Sequence, residues 1–204
     1  WGGAAPTIPH ERLAEMRANL VEYLQWFRMV RPTVRLADDQ VVKLAGREWF
    51  AVFTPGHTDD HLCLWDPTEG ILLAGDHVLP TITPHISGLG DGDPLADYFH
   101  SLDRVAALPG VRLALPAHGG VVHDVGRRVE EIRGHHQDRL EQLREISARL
   151  GWATIEALSH EMFHPRSWGS MAESEAYAHV EHLRHQGRAE RRDGAAGLAE
   201  YLVG

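Results

Sequence analysis

A chain of 204 residues with 43% apolar side chains has the material for a buried core, and its single cysteine, Cys63, rules out an intramolecular disulfide. That cysteine usage fits a reducing compartment, and the cytoplasm is the expected location. The net charge of −9 argues against a broad, nonspecific grip on nucleic acid, and no apolar run approaches the roughly 20 residues that cross a bilayer.

In chain order, residues 9–31 predict a long amphipathic helix. Leu13, Met16, Leu20, Leu24 and Phe27 recur at spacings of three and four, and Pro32 closes it. Its apolar stripe suits either covering a pocket or packing a second copy in a homodimer. Four short β-like runs come next at 40–44, 48–53, 61–65 and 70–75, separated by turn-forming residues, which predicts an antiparallel meander. A long loop, DHVLPTITPHISGLGDGDP, leads to a helix at about 94–107 and a strand at 111–116. Strand, loop, helix and strand together predict an α/β arrangement.

From Val125 the pattern becomes helical. A long helix runs to about Leu150, a second is capped by Thr154, and a third ends at Gly187. A terminal hairpin with a Gly-rich tip closes the chain. Three helices and a hairpin have the order of a winged-helix module, so the expected division is 1–133 and 134–204.

Fifteen histidines stand out, and identity alone makes none of them functional. His160, His179, His182 and His185 fall on faces that read as polar. His135 and His136 read as surface or supporting residues of the long helix. Cys63 alternates with Leu62 and Leu64 and is expected to be a small apolar filler.

Three positions share one kind of address. His57 follows FTPG, Asp76 follows LLAG, and His118 follows LALPA, each just beyond an apolar strand. Strand ends that emerge along one edge of a core bring their loop residues to one pocket. Histidine and carboxylate at such an edge are donors that a zinc-type ion accepts, and the two oxygens of one aspartate can bridge a pair of ions. In the same segment, FTPGHTDDHLCLW, His61 is expected to orient a ligand by a hydrogen bond, and Asp59 and Asp60 read as a solvated turn. His77, His85 and His123 are expected on the same rim, touching substrate or capping loops.

TPGHTDDHLCL, LLAGDHV and LPAHGG resemble segments of the metallo-β-lactamase superfamily of metal-dependent hydrolases. The resemblance implies that His57, Asp76 and His118 are metal ligands, with Asp76 bridging two divalent ions. Zinc is the expected metal, with iron or manganese as alternatives. GDHVLPTITPHIS and the helical tail are similar to the lactamase-beta-2-like and glyoxalase-II-like hydrolases. The implied fold is α/β: the C-terminal portion of an αβ/βα sandwich followed by a small winged-helix-like domain lining the substrate entrance.

This superfamily opens its metal site with H-x-H-x-D-H, and no such segment occurs here. WGGA at residues 1–4 resembles the stretch just after the final histidine of that motif. The expectation is therefore the back part of a longer protein, without three histidine ligands and one aspartate of the usual set. Residues 1–204 alone are expected to bind metal poorly and to show little or no hydrolysis.

For the longer protein the resemblance implies hydrolysis of a small ester or thioester through a metal-bound hydroxide. One competing reading is a ribonuclease, with single-stranded RNA guided by the four arginines of RHQGRAERR. The segment from Gly126 onward carries 11 Arg against 13 Asp plus Glu, which does not favour it. The other is a non-catalytic winged-helix regulator, against which the three retained ligand positions count.

Overall fold

The computed structural model describes residues 32–88, 92–194 and 197–204. The helix expected at 9–31 lies outside the described residues. Among the described residues there are eight strands and four α-helices: β1 (Val41–Leu44), β2 (Arg47–Phe53), β3 (Leu62–Asp66), β4 (Ile71–Gly75), α1 (Pro94–Ala106), β5 (Leu113–Pro116), α2 (Val125–Leu150), β6 (Ala153–Thr154), α3 (Ile155–Met162), α4 (Ser170–His185), β7 (Ala189–Asp193) and β8 (Ala199–Val203).

The first five strands form one sheet in the order β1-β2-β3-β4-β5. β1 to β4 are the expected antiparallel meander, and β5 joins β4 in parallel. A parallel neighbour needs a crossover, and residues 76–112, with α1 in them, supply it. α1 starts cleanly because the Asp93 carboxylate accepts from the Ala96 N–H at 3.0 Å and Pro94 needs no amide partner at the first turn.

Side chains alternate across these strands. Val52, Cys63, Leu72, Ala74 and Ala114 point to the helical side, where they join Tyr98, Leu102 and Val105 of α1 and Val129 and Ile132 of α2 in one core. The opposite face carries Ala51, Leu64, Leu73 and Leu115 in a single cross-strand row, so both faces of the sheet are apolar.

α2 is one continuous helix of 26 residues, capped by Asp124, and residue 134 lies inside it. Its N-terminal half packs on α1, and its C-terminal half meets α3 and the second sheet, ordered β6-β8-β7. There the buried Ser147 hydroxyl accepts from the Val203 N–H at 2.8 Å. α3 begins at the expected cap, where Thr154 Oγ1 accepts from the Ala157 N–H.

His185 is exposed as its polar pattern predicts and His160 half-buried, but three other histidines of the helical part lie elsewhere than expected. His136, His179 and His182 are buried, because α4 is enclosed on most sides and has no free polar face for its middle turns. Each is accommodated by a specific partner. His179 Nδ1–H donates to the Glu175 carbonyl at 2.8 Å, which leaves its Nε2 to accept from His136 Nδ1–H at 3.0 Å. His182 donates from Nδ1 to the Asp93 carboxylate at 2.9 Å, tying α4 to the start of α1. The helix-cap residue Asp93 thus serves two elements.

Burial pushes both His136 and His179 well below the ordinary imidazole range, and for His136 the adjacent His179 ring adds to the effect. The folded protein therefore holds them neutral, while the unfolded chain binds protons at about pH 6.5. Stability is then flat above about pH 7 and falls as the medium is acidified below about pH 6.5, by up to about 1.4 kcal/mol per pH unit for each ring. His136 Nε2 is also buried with no hydrogen-bond partner, so an apolar replacement sacrifices little. Thermal melts from pH 8 to pH 4 should show this decline, and a His136→Leu/His179→Leu double variant should flatten much of it with little loss at pH 8.

Candidate metal centre

The loops leaving β2, β4 and β5 meet at the edge the sequence indicated. His57 stands in the β2–β3 loop, Asp76 directly after β4, and His118 two residues after β5. His57 Nε2 lies 3.8 Å from Asp76 Oδ2, and His118 Nε2 lies 3.5 Å from Asp76 Oδ1. The two imidazoles therefore approach the carboxylate from different sides, one to each oxygen.

His57 is held in a defined tautomer. Its Nδ1–H donates to the His85 carbonyl at 2.7 Å, which leaves the Nε2 lone pair facing the carboxylate. The turn that presents it depends on Gly56. A Cβ there would lie 2.4 Å from the Tyr98 Cβ of α1, and φ is +134°. Ser101 Oγ–H donates to the Pro55 carbonyl at 2.8 Å and anchors the same turn to α1.

Asp76 is fixed from below. His61 Nε2 accepts from the Asp76 backbone N–H at 3.2 Å, so its proton sits on Nδ1 and is donated to Thr54 Oγ1 at 2.8 Å. Thr54 lies within 3.4 Å of Cys63 Sγ, whose S–H reaches the Ala74 carbonyl. Desolvation, and then the neighbouring His57, push the His61 pKa down, consistent with a neutral ring. Cys63 is completely buried in the core of the sheet, the apolar filler its alternation predicted, and burial raises its thiol to about 12.

Two expectations for the rim change. His77 is completely buried and cannot touch substrate. Its ring lies between those of His61 and Tyr98, and burial, reinforced by His61, lowers it to about 3. The turn that ends β4 explains this: Gly75 is left-handed, with φ +52°, and the His77 N–H donates to the Ala74 carbonyl at 2.9 Å, which swings the His77 ring in toward Tyr98. His85 keeps partial exposure and works through its backbone carbonyl. His123 is exposed, as are Asp59 and Asp60; Asp60 accepts from the Thr58 hydroxyl within the turn. Thr54 and Gly75 take part without having been singled out from the sequence.

Asp76 Oδ1 is sealed from solvent and has no hydrogen-bond donor. A buried carboxylate oxygen without a donor is costly, by about 1–3 kcal/mol or more, unless a cation is near. Both flanking contacts are too long for hydrogen bonds. They approach the separation of about 3.4 Å that two ligands at about 2.1 Å make on one tetrahedral ion. The donor set fits divalent metal, arranged as two half-sites that share Asp76. Each half-site has one imidazole and one carboxylate oxygen, and among the described residues no group of three or more His, Cys, Asp or Glu side chains encloses a metal position.

The sequence profile of the Metallo-beta-lactamase superfamily matches residues 2–118. The chain belongs to that superfamily. Two solved structures resemble it over nearly its whole length. A metallo-beta-lactamase family protein from Thermus thermophilus is 32% identical with a TM-score of 0.79, covering 97% of this chain and 66% of that one. A beta-lactamase domain protein from Burkholderia ambifaria is 31% identical with a TM-score of 0.81, covering 95% and 60%. Among curated relatives, the lactamase-like protein nscB of Arthroderma otae is 36% identical over 104 residues, 51% of this chain and 28% of that protein. The atrochrysone carboxyl ACP thioesterase of Aspergillus fumigatus is 34% identical over 108 residues, 53% and 32%. The matched segment thus spans less than a third of the length of these curated relatives.

Gly75, directly before Asp76, is another close approach at this edge. Its φ is +52°, and a Cβ would lie 2.6 Å from His61 Nε2. Gly75→Ala should therefore cost about 2–4 kcal/mol in denaturant unfolding, from the left-handed backbone and the clash together. In a His61→Ala background the clash disappears, and the same substitution should cost only the backbone share, about 1–2 kcal/mol.

Proposed function

We propose that the full-length protein is a metal-dependent hydrolase of a small ester or thioester, with His57, Asp76 and His118 as metal ligands and Asp76 bridging. The carrying observation is the Asp76 carboxylate with one imidazole Nε2 facing each oxygen, at 3.8 and 3.5 Å. Two zinc ions are the expected occupants, and iron or manganese would suit the same donors. Further donors would come from outside the described residues or from water. When bound, the metal supplies a water acidified toward neutrality and a Lewis acid for the scissile carbonyl.

The residues of this chain then have separable tasks. His57 offers its Nε2 because Nδ1 is committed to the His85 carbonyl. Asp76 is kept at its height by His61 through its own amide. His118 is well exposed, so it forms the open side of the site, where a substrate can approach. The thioester preference is supported by the Aspergillus fumigatus relative, whose name gives it as a thioesterase. The helical part, with its three helices and terminal hairpin, is read as a winged-helix-like domain beginning at about residue 134. A reducing compartment such as the cytoplasm suits a chain whose one cysteine is buried and unpaired.

The ribonuclease alternative draws no support from the tail arginines. Arg184 pairs with Glu181, Arg191 with Asp193 and Arg192 with Glu200, so most of that positive charge is already answered within the protein.

The test is metal content and turnover of the full-length protein on acyl-thioester and ester panels. Asp76→Asn should lose both half-sites, with bound zinc reduced to trace levels and kcat/KM lower by at least about 100-fold. His57→Ala or His118→Ala should each lose about one equivalent of zinc. Unchanged metal content in Asp76→Asn would sink the proposal.

A further inference from the structure

The ligand candidate His57 is oriented by a carbonyl, and the loop that provides this carbonyl is itself held from the far side by α4. His85 supplies the carbonyl through its backbone, while its side chain faces another way. Its Nδ1 lies 3.6 Å from Glu175 Oε2, with both groups largely shielded from solvent. Glu175 belongs to α4, 90 residues further along the chain. One residue earlier on that helix, Ser174 Oγ lies 3.2 Å from Ser87 Oγ of the same loop. At residue 88 the loop lies so close to α4 that a Cβ would fall 2.4 Å from the Tyr177 ring and 3.0 Å from the Ala178 amide nitrogen. Three closely spaced attachments, at 85, 87 and 88, thus fix the loop to one helical face.

From this geometry we infer that Glu175 is a positioning residue for the metal centre: its carboxylate holds His85, and the His85 carbonyl holds the His57 ring. The inference rests on the proposed metal-ligand role of His57. It assigns the helical part a task at the centre beyond forming its own core. Glu175 touches no ligand atom, so its effect is transmitted through loop placement. An imidazole freed from its Nδ1 partner can rotate or change tautomer, and either change withdraws the Nε2 lone pair from Asp76. Ser174 serves as the internal comparison, because its hydroxyl contact lies two residues beyond the carbonyl and carries no charge.

The experiment uses the full-length protein and measures zinc affinity by chelator competition, kcat and KM separately, and the thermal melt. Glu175→Gln, of equal size, should weaken zinc binding about 10- to 100-fold and lower kcat with KM nearly unchanged. Its melt should remain cooperative and within a few degrees of the parent. Glu175→Asp, which keeps the charge on a shorter stem, should fall between the two, and Ser174→Ala should bind zinc like the parent. Parental zinc affinity in both Glu175→Gln and Glu175→Ala, with zinc lost in His57→Ala, would overturn the positioning role and leave the metal centre standing. Parental zinc binding in His57→Ala would overturn both. Loss of zinc in Glu175→Gln only together with loss of the cooperative melt would reduce Glu175 to a structural residue and also overturn the inference.

Discussion

One carboxylate sets the requirements that the rest of the structure meets. Asp76 emerges from a buried strand with an oxygen closed off from water and given no donor. Such an anion is stable only where its surroundings are arranged in advance. The glycine before it allows the chain to turn over His61, the His61 ring takes the Asp76 amide, and two imidazoles flank the charge. Each of these features would be costly or pointless alone. Around this one carboxylate they are consistent with one another.

Histidine does two kinds of work in this molecule. At the strand ends it presents a lone pair at the surface of the core. Inside the helical part it joins elements: His136 donates to His179 between α2 and α4, and His182 donates to Asp93 between α4 and the start of α1. The rings of His61, His77, Tyr98, His136 and His179 stand in successive contact from the edge of the sheet to α4. Burial keeps the inner members uncharged, which is the condition for packing imidazole beside imidazole.

Much of this was legible in the sequence because it is local. The strand runs, the Thr154 helix cap and the shared address of residues 57, 76 and 118 are all written within a few residues of where they act. The inward turn of His77 was not legible, since the period of β4 points residue 77 to the other face and the left-handed turn at Gly75 reverses it. What else could not be read was set by contacts across long separations. The burial of His136 and His179 depends on each other, 43 residues apart, and the polar pattern of α4 gives no sign that its partners enclose it. Thr54, Gly75 and Glu175 have ordinary identities, and only the folded neighbourhood distinguishes them.

α2 belongs to both layers. Twenty-six helical residues make a rod about 39 Å long, with one end seated under the sheet and the other against β8. A shared beam leaves no place for a hinge, so the two layers move as one piece on the time scale of domain rotations. The short exposed segments 58–60 and 117–121, which border His57 and His118, lie off that rod, so a shift in either leaves the joint between the layers undisturbed.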